Sequence, residues 1–158
     1  MFVVAAVLLA LLPVGLAQAM APLRSTTDHT PGTSGFDGPY LEVWEGTISG
    51  DIEGQIEWWI DVRTWTAWPY IIAEEPLPNA SHYTMVVKIY DPNGTLVMET
   101  LEHGTTTSAN TTWRANGVVT YADPELFPGW EGRRVHESGD FIMGANGPES
   151  GTSIFRLN

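Results

Sequence analysis

Titratable side chains that could carry out chemistry are concentrated in one stretch of the sequence. They are Arg133, Arg134, His136, Glu137 and Asp140. Alternate residues of a strand point to the same side, so Arg133 and Glu137 would share the face of Val135. If that face is interior, the two could form an ion pair at the mouth of a barrel. A buried Glu137 carboxyl with a raised pKa could then act as an acid catalyst. An outward, solvated cluster or a structural salt bridge is the alternative.

A second set of candidate residues is largely apolar and aromatic and would line the inside of a barrel. These ligand-binding candidates are Trp58, Tyr83, Met85, Trp113 and Tyr121, with Arg133 at the mouth. Small residues on the same faces, Gly54, Ala115 and Gly117, leave room beside them. A barrel of about eight strands is just wide enough to be filled by side chains or to hold one small ligand. Two interpretations therefore stay open: a lumen that binds a small apolar or aromatic molecule, and a packed interior with small residues opposite tryptophans.

Tryptophans are dense in one region, at Trp58, Trp59, Trp65 and Trp68. Trp58 has the parity of Ile56 and belongs to the core, whereas Trp59 lies on the wet face. If their rings are exposed, Trp59, Trp65 and Trp68 could form a stacking platform for sugars. Alternatively, they cap the outer face and hold a loop against the barrel.

Metal and cofactor sites are not predicted. His29, His82, His103 and His136 are isolated, without the paired spacing typical of zinc ligands. The chain has no phosphate-binding loop, dinucleotide motif or serine nucleophile signature.

Three sequons mark candidate glycosylation sites, should the host be eukaryotic: Asn79, Asn93 and Asn110. Each lies in a predicted loop or turn, where a glycan could be accommodated. They indicate surface exposure rather than function.

In the strands that must position these residues, apolar and polar side chains alternate with a period of two residues. The organising stretch is Gly46–Trp68, in which Ile52, Ile56 and Trp58 alternate with polar residues. Upstream, Tyr40–Ser49 is rich in strand formers, and the Ser49-Gly50-Asp51 turn signal predicts a long hairpin.

Further strands are predicted over His82–Tyr90, Thr95–Glu102, Trp113–Tyr121 and Ser153–Leu157. Arg133–Met143 is predicted to form a strand pair that is broken at Ser138-Gly139-Asp140. The segment Asp123–Gly132 could hold one helical turn, with Asp123 as its N-cap. Seven or eight strands with short turns favour an antiparallel barrel or sandwich. We predict an all-β fold, a single antiparallel, eight-stranded, closed barrel with little helix.

The N-terminus indicates export. Residues 1–19 carry no charged side chain and end in the small-x-small pattern Ala17-Gln18-Ala19, which predicts a signal peptide and a secreted protein. Residues 20–38 are rich in Pro, Thr, Ser and Gly and predict a flexible segment. Residues 39–158 would then form the barrel domain. The chain has no cysteine, so its core must be stable without disulfides.

The net charge of −12 limits the partners. An acidic surface repels nucleic acid and anionic lipid head groups, so neither nucleic acid nor, after signal cleavage, a membrane is a predicted partner. A small apolar or aromatic molecule is the predicted partner, and association into a homo-oligomer stays open.

Two groups of motifs resemble those of a known family. One is Gly46, Gly50, Asp51 and Gly54 running into Trp58-Trp59; the other is GRRVH-x-SG from Gly132, followed by G-T-x-x-F-R from Gly151. Together they resemble the allene oxide cyclase/dirigent-like barrel group of small exported, calycin-like proteins. The resemblance implies an eight-stranded barrel with an apolar lumen. Plant members cyclise or couple lipid- and phenol-derived substrates without a cofactor of their own, but none of their functional residues maps onto a position here.

Three functional hypotheses follow. The first is a secreted, cofactor-free barrel that binds a small apolar or aromatic ligand in its lumen. The second is a cofactor-free enzyme of the cyclase or coupling type that uses an internal carboxyl such as Glu137. The third is a carbohydrate-binding module that uses its surface tryptophans.

Overall fold

Eight antiparallel strands close into one barrel, with each strand paired to the next along the chain and the last paired to the first. The computed structural model describes residues 20–36, 41–66, 80–107, 110–144 and 147–158. The strands are β1 (Leu23–Phe36), β2 (Leu41–Gly50), β3 (Gly54–Asp61), β4 (Ser81–Tyr90), β5 (Leu96–Thr107), β6 (Asn110–Ala122), β7 (Arg134–Gly144) and β8 (Gly147–Leu157). The predicted all-β, eight-stranded closed barrel is confirmed. None of the described residues is helical, and none belongs to a helix that could cross a membrane.

The alternation read from the sequence sets which side chains face inward. In β4, Tyr83, Met85, Val87 and Ile89 are buried and their neighbours are half-buried or exposed. Ile56 of β3 pairs with Ile89, and both are fully buried. Because paired residues of adjacent strands lie on the same face, the inward positions continue around the whole barrel.

The two ends of the barrel differ. The hairpin end carries the β2–β3, β4–β5 and β6–β7 connections. The interior is closed there by three buried side chains, Ile52, Val97 and Trp130. Trp130 belongs to the β6–β7 connection, which is a series of turns rather than the predicted helical turn. The carboxylate of Asp123 nevertheless accepts the backbone N–H groups of Glu125 (2.8 Å) and Leu126 (3.1 Å). The opposite end, called the loop end, carries the remaining connections.

The prediction of a flexible segment over residues 20–38 is wrong, because Leu23–Phe36 forms β1 and closes the barrel between β2 and β8. Beyond Leu23, its described buried residues are Ser25, Thr27 and His29, which are polar, so it has no apolar period to detect. They are held by hydrogen bonds instead. The Ser25 hydroxyl accepts the N–H of Ile52 (2.9 Å), and the hydroxyls of Thr27 and Ser153 lie 2.6 Å apart.

The prediction of a break at Ser138-Gly139-Asp140 is also wrong, since β7 runs through it without interruption. Gly139 is required there for packing. A Cβ atom at this position would meet the Trp113 indole and the main chain of Thr152. The final strand likewise begins earlier than predicted, at Gly147.

Removal of a buried side chain should measure how much the barrel depends on this core. Ile56→Ala is expected to lower the free energy of unfolding by about 2–5 kcal/mol, because Ile56 is fully buried and its truncation leaves a cavity. The matched control is Val118→Ala on the exposed outer face, with an expected change within about 0.5 kcal/mol. Urea unfolding followed by tryptophan fluorescence gives both values. Equal losses in the two variants would contradict the assigned faces.

Candidate functional site

Two glutamate side chains lie fully buried inside the barrel, Glu102 on β5 and Glu137 on β7. The strand between them is β6, whose inward residues at this level are small. Glu102 pairs with Gly117 and Glu137 pairs with Ala115. A Cβ atom at Gly117 would collide with Glu102, so the glycine provides the space that this side chain occupies.

Hydrogen bonds fix the Glu137 carboxyl from two sides. The Ser153 hydroxyl donates to Oε1 (2.6 Å), and the Trp58 indole N–H donates to Oε2 (3.0 Å). Glu102 is less fully satisfied. Its Oε1 accepts the Thr100 hydroxyl (2.6 Å), whereas its Oε2 has no hydrogen-bond partner in the part of the chain that the structure describes.

Burial changes the acidity of both groups. Removal from water raises the pKa of Glu102 to about 7, against the opposing effect of the Thr100 hydrogen bond. Burial also raises the pKa of Glu137 well above its usual value. The negative charge of Glu102 adds to that rise, and the hydrogen bonds from Ser153 and Trp58 oppose it. The interior therefore holds two carboxyl groups that keep their protons to a higher pH than an ordinary glutamate does.

Aromatic rings surround His29 on the loop-end side of these carboxyls, and we call this group the aromatic chamber. Ring centroids lie 4.9 Å (Trp58), 5.5 Å (Trp44), 5.7 Å (Phe141) and 6.1 Å (Trp113) from that of His29. The chamber encloses a cavity of about 20 Å³, also lined by Ile60, Tyr83 and Met85. That volume holds one group the size of a water molecule. Among the described residues, the chamber therefore leaves room for little more than one such group.

His29 is an uncharged polar group on the chamber wall. It is buried, and desolvation lowers its pKa to about 4 despite the opposing charge of Asp28. Its Nδ1 atom has no hydrogen-bond partner among the described residues, and neither has the indole Nε1 of Trp113. Buried polar groups are normally paired, and both unpaired atoms belong to side chains that line the same cavity, which makes this cavity the candidate ligand site.

The structure brings together four of the predicted ligand-binding residues. Trp58, Tyr83, Met85 and Trp113 all line the cavity. Tyr121 does not, because an irregularity in the β5–β6 pairing shifts it onto the outer face opposite Glu99.

Arg133 does not lie at the cavity either. It is exposed before β7 at the hairpin end, where its Nε donates to the carbonyl of Gly129 (3.5 Å). The predicted Arg133–Glu137 ion pair is therefore wrong. The solvated-cluster alternative is wrong for Glu137, although Arg134 and Asp140 are exposed.

Two of the tryptophans considered for a sugar platform, Trp59 and Trp65, are half-buried and contact neighbouring side chains. The Trp59 indole donates to Glu57 (2.8 Å), and the Lys88 ammonium lies 4.1 Å from its ring centroid. Trp65 packs edge-on against Tyr83 and donates to the Ser81 hydroxyl (3.0 Å). Trp68 lies outside the described residues.

The remaining residues considered in the sequence are the three sequon asparagines and the histidines. Asn93 is exposed in the β4–β5 turn, Asn110 begins β6, and Asn79 lies outside the described residues. Within the described ranges, no group of three or more His, Asp or Glu side chains is arranged to hold a metal ion.

Comparison with known proteins adds no relative. No protein-family model, no curated protein and no solved structure matches this chain. The resemblance to the allene oxide cyclase/dirigent-like group therefore stays a prediction.

The raised pKa of Glu102 should make stability depend on pH. The folded protein keeps this proton up to about pH 7, whereas an ordinary glutamate loses it near 4.5. Folding therefore favours proton binding between those values, and the free energy of unfolding falls as the pH rises through that window. Glu102→Gln cannot ionise. Its stability relative to the unmodified protein should increase by about 2–3 kcal/mol between pH 5 and pH 7, at about 1.4 kcal/mol per pH unit, and should level off above pH 7.

Urea unfolding at a series of pH values measures this difference. The control is Glu99→Gln, a change on the outer face of the same strand. Parallel pH profiles for Glu102→Gln and the unmodified protein would show that the buried carboxyl does not carry the effect.

Proposed function

We propose that this protein binds one small apolar or aromatic molecule at the loop end of its barrel, with a polar head group of that molecule inside the aromatic chamber. The observation that carries the proposal is that two side chains lining one cavity, His29 and Trp113, each have a buried polar atom without a hydrogen-bond partner among the described residues. A buried polar atom without a partner costs about 1–3 kcal/mol. A ligand group that bonds to them recovers part of that cost.

The size of the cavity defines how such a ligand would be held. About 20 Å³ accommodates only a group comparable to water, so the chamber selects a head group rather than a whole molecule. Ile60 and Phe141 line the same cavity and are only half-buried, so the cavity extends toward the surface at the loop end. The apolar part of the ligand would rest against these two side chains.

The cellular context of the proposal comes from the sequence. The apolar, uncharged residues 1–19 predict export, and the chain has no cysteine. Binding would then take place outside the cell, by a barrel whose core needs no disulfide.

Acid catalysis of the cyclase or coupling type is the second candidate, and the burial of Glu137 favours it. The carboxyl is inside the barrel, its pKa is raised, and its partner Trp58 also lines the cavity. Glu137 itself lies behind the Trp58 indole rather than on the cavity wall. Ligand binding is therefore the better supported function. The positions of Trp59 and Trp65 give no support to carbohydrate binding.

A substitution at the cavity rim tests the binding site without removing core contacts. Ile60→Trp enlarges a half-buried rim residue and should weaken the binding of benzyl alcohol, a neutral aromatic probe with one polar head group, at least tenfold. The matched control, Val118→Trp, places the same indole on the exposed outer face and should leave binding unchanged. Two-dimensional NMR titration measures both affinities and locates the probe through the His29 ring signals.

Two results would contradict the proposal. One is that the unmodified protein shows no saturable binding to any of a panel of neutral aromatic probes. The other is that Ile60→Trp binds them as well as the control does.

A further inference from the structure

The charge on the outside of the barrel is unevenly distributed. Outward residues of neighbouring strands form rows across the sheet, because paired residues lie on the same face. One such row runs through Arg24 of β1, Arg156 of β8, His136 of β7, Asn116 of β6 and His103 of β5. None of the 19 acidic residues of the chain belongs to it. The net charge of −12 therefore conceals a region of opposite character.

The rows on either side continue this pattern. Toward the loop end, the next row runs through Arg114 of β6, Ser138 of β7, Ile154 of β8 and Thr26 of β1. Toward the hairpin end, the next outward residue of β7 is Arg134. We call the residues of these three rows together the arginine face. The face carries one arginine on each of four neighbouring strands and no acidic residue.

The guanidinium groups of this face have no counterion. Four of the seven lysine and arginine side chains of the protein are involved, and among the described residues none of the four has a hydrogen-bond or ion-pair partner for its side chain: Arg24, Arg114, Arg134 and Arg156. The first three are exposed and Arg156 is half-buried. Neighbouring like charges repel one another, so a bound anion would relieve this repulsion.

Two open grooves cross the arginine face. One, of about 570 Å³, is lined by Arg114 and, on its loop-end side, by Asp28 and Asp140. The other, of about 490 Å³, is lined by Arg134 and His136. Because acidic residues border it, the cationic area is narrow. A wide polyanion such as duplex DNA or a bilayer surface would also meet those carboxylates and be repelled by them.

The remaining side chains of the face fit a chain of sugars. The hydroxyl and amide groups of Thr26, Ser138 and Asn116 lie between the arginines and can hydrogen-bond to sugar hydroxyls. Guanidinium groups bind carboxylates through two parallel N–H bonds. Neighbouring strands lie about 4.8 Å apart, which is comparable to the length of one sugar residue. A polysaccharide with one carboxylate per sugar therefore matches both the charge and the spacing of this face.

We propose that the arginine face binds a carboxylate-bearing polysaccharide on the outside of the barrel. The four guanidinium groups would hold the carboxylates, and the hydroxyl and amide side chains would contact the uncharged part of each sugar. The face contains no tryptophan, tyrosine or phenylalanine on which a sugar could stack, so its affinity comes from charge and falls as salt is added. The site is separate from the aromatic chamber, and the proposal is independent of ligand binding there.

Calorimetric titration of the full chain with polygalacturonate tests the proposal. Binding should be saturable, and an increase in salt from about 50 mM to about 200 mM should weaken it about tenfold or more. The double variant Arg114→Gln/Arg134→Gln removes one exposed cation from each groove and should lose about tenfold or more in affinity at the lower salt concentration.

Two single variants serve as controls. Lys88→Gln removes a cation that lies over the Trp59 ring on another part of the outer face, and it should change the affinity by less than about twofold. Asp140→Asn removes a repelling carboxylate from the edge of a groove, so it should bind polygalacturonate more tightly than the unmodified protein does.

Each contrary result overturns a stated part of the proposal. If polyglutamate or duplex DNA binds more tightly than polygalacturonate, the partner is an acidic polypeptide or a nucleic acid rather than a polysaccharide. If Lys88→Gln weakens binding as much as the double variant does, the arginine face is not the site. If polygalacturonate does not bind even at low salt, the proposal fails altogether. None of these results bears on the aromatic chamber, which the benzyl alcohol titration tests separately.

Discussion

Two carboxyl groups enclosed in a closed sheet without a counterion are the constraint on which the rest of this structure depends. A carboxylate in an apolar interior is costly, so the surrounding residues either donate hydrogen bonds or favour the protonated form. Ser153 and Trp58 do the first for Glu137, and Thr100 does it for one oxygen of Glu102. The same constraint bears on Gly117 of β6, because a Cβ atom there would collide with Glu102.

Closure of the barrel relies on hydroxyl groups as much as on apolar packing. β1 contributes Ser25, Thr27 and His29 to the interior, which is a poor apolar face. Its position is nevertheless fixed, because the ladders to β2 and β8 satisfy its backbone and its hydroxyls bond to Ile52 and Ser153. The Thr27–Ser153–Glu137–Trp58 chain of hydrogen bonds therefore links the closing strand to the buried acid and on to the aromatic chamber.

Much of the fold could be predicted from the sequence, because the apolar period of two in β3 and β4 marks their inward faces directly. β1 could not, since a strand held by hydroxyl hydrogen bonds leaves no hydrophobic pattern. The predicted break at Gly139 was wrong for a related reason. A glycine in a turn and a glycine packed under a neighbouring indole give the same pattern in the sequence.

The candidate site was predicted in part. Trp58, Tyr83, Met85 and Trp113 followed from strand parity, and Tyr121 failed because one irregularity in the β5–β6 pairing reverses parity beyond it. Glu102, His29, Trp44 and Phe141 were missed. Glu102 shares the parity of Met98 and Thr100, which was the available signal, but a glutamate on an inward position is normally taken as a reason to doubt the strand. The other three belong to strands whose faces depend on pairing partners that are distant in the sequence.

The closed hairpin end limits the path by which a ligand bound inside the barrel would exchange with solvent. With Ile52, Val97 and Trp130 buried at the hairpin end, a ligand bound as we propose would enter and leave through the loop end. Uptake and release would then share one path and could not be tuned separately. Selection acting on the rim alone would speed or slow both together.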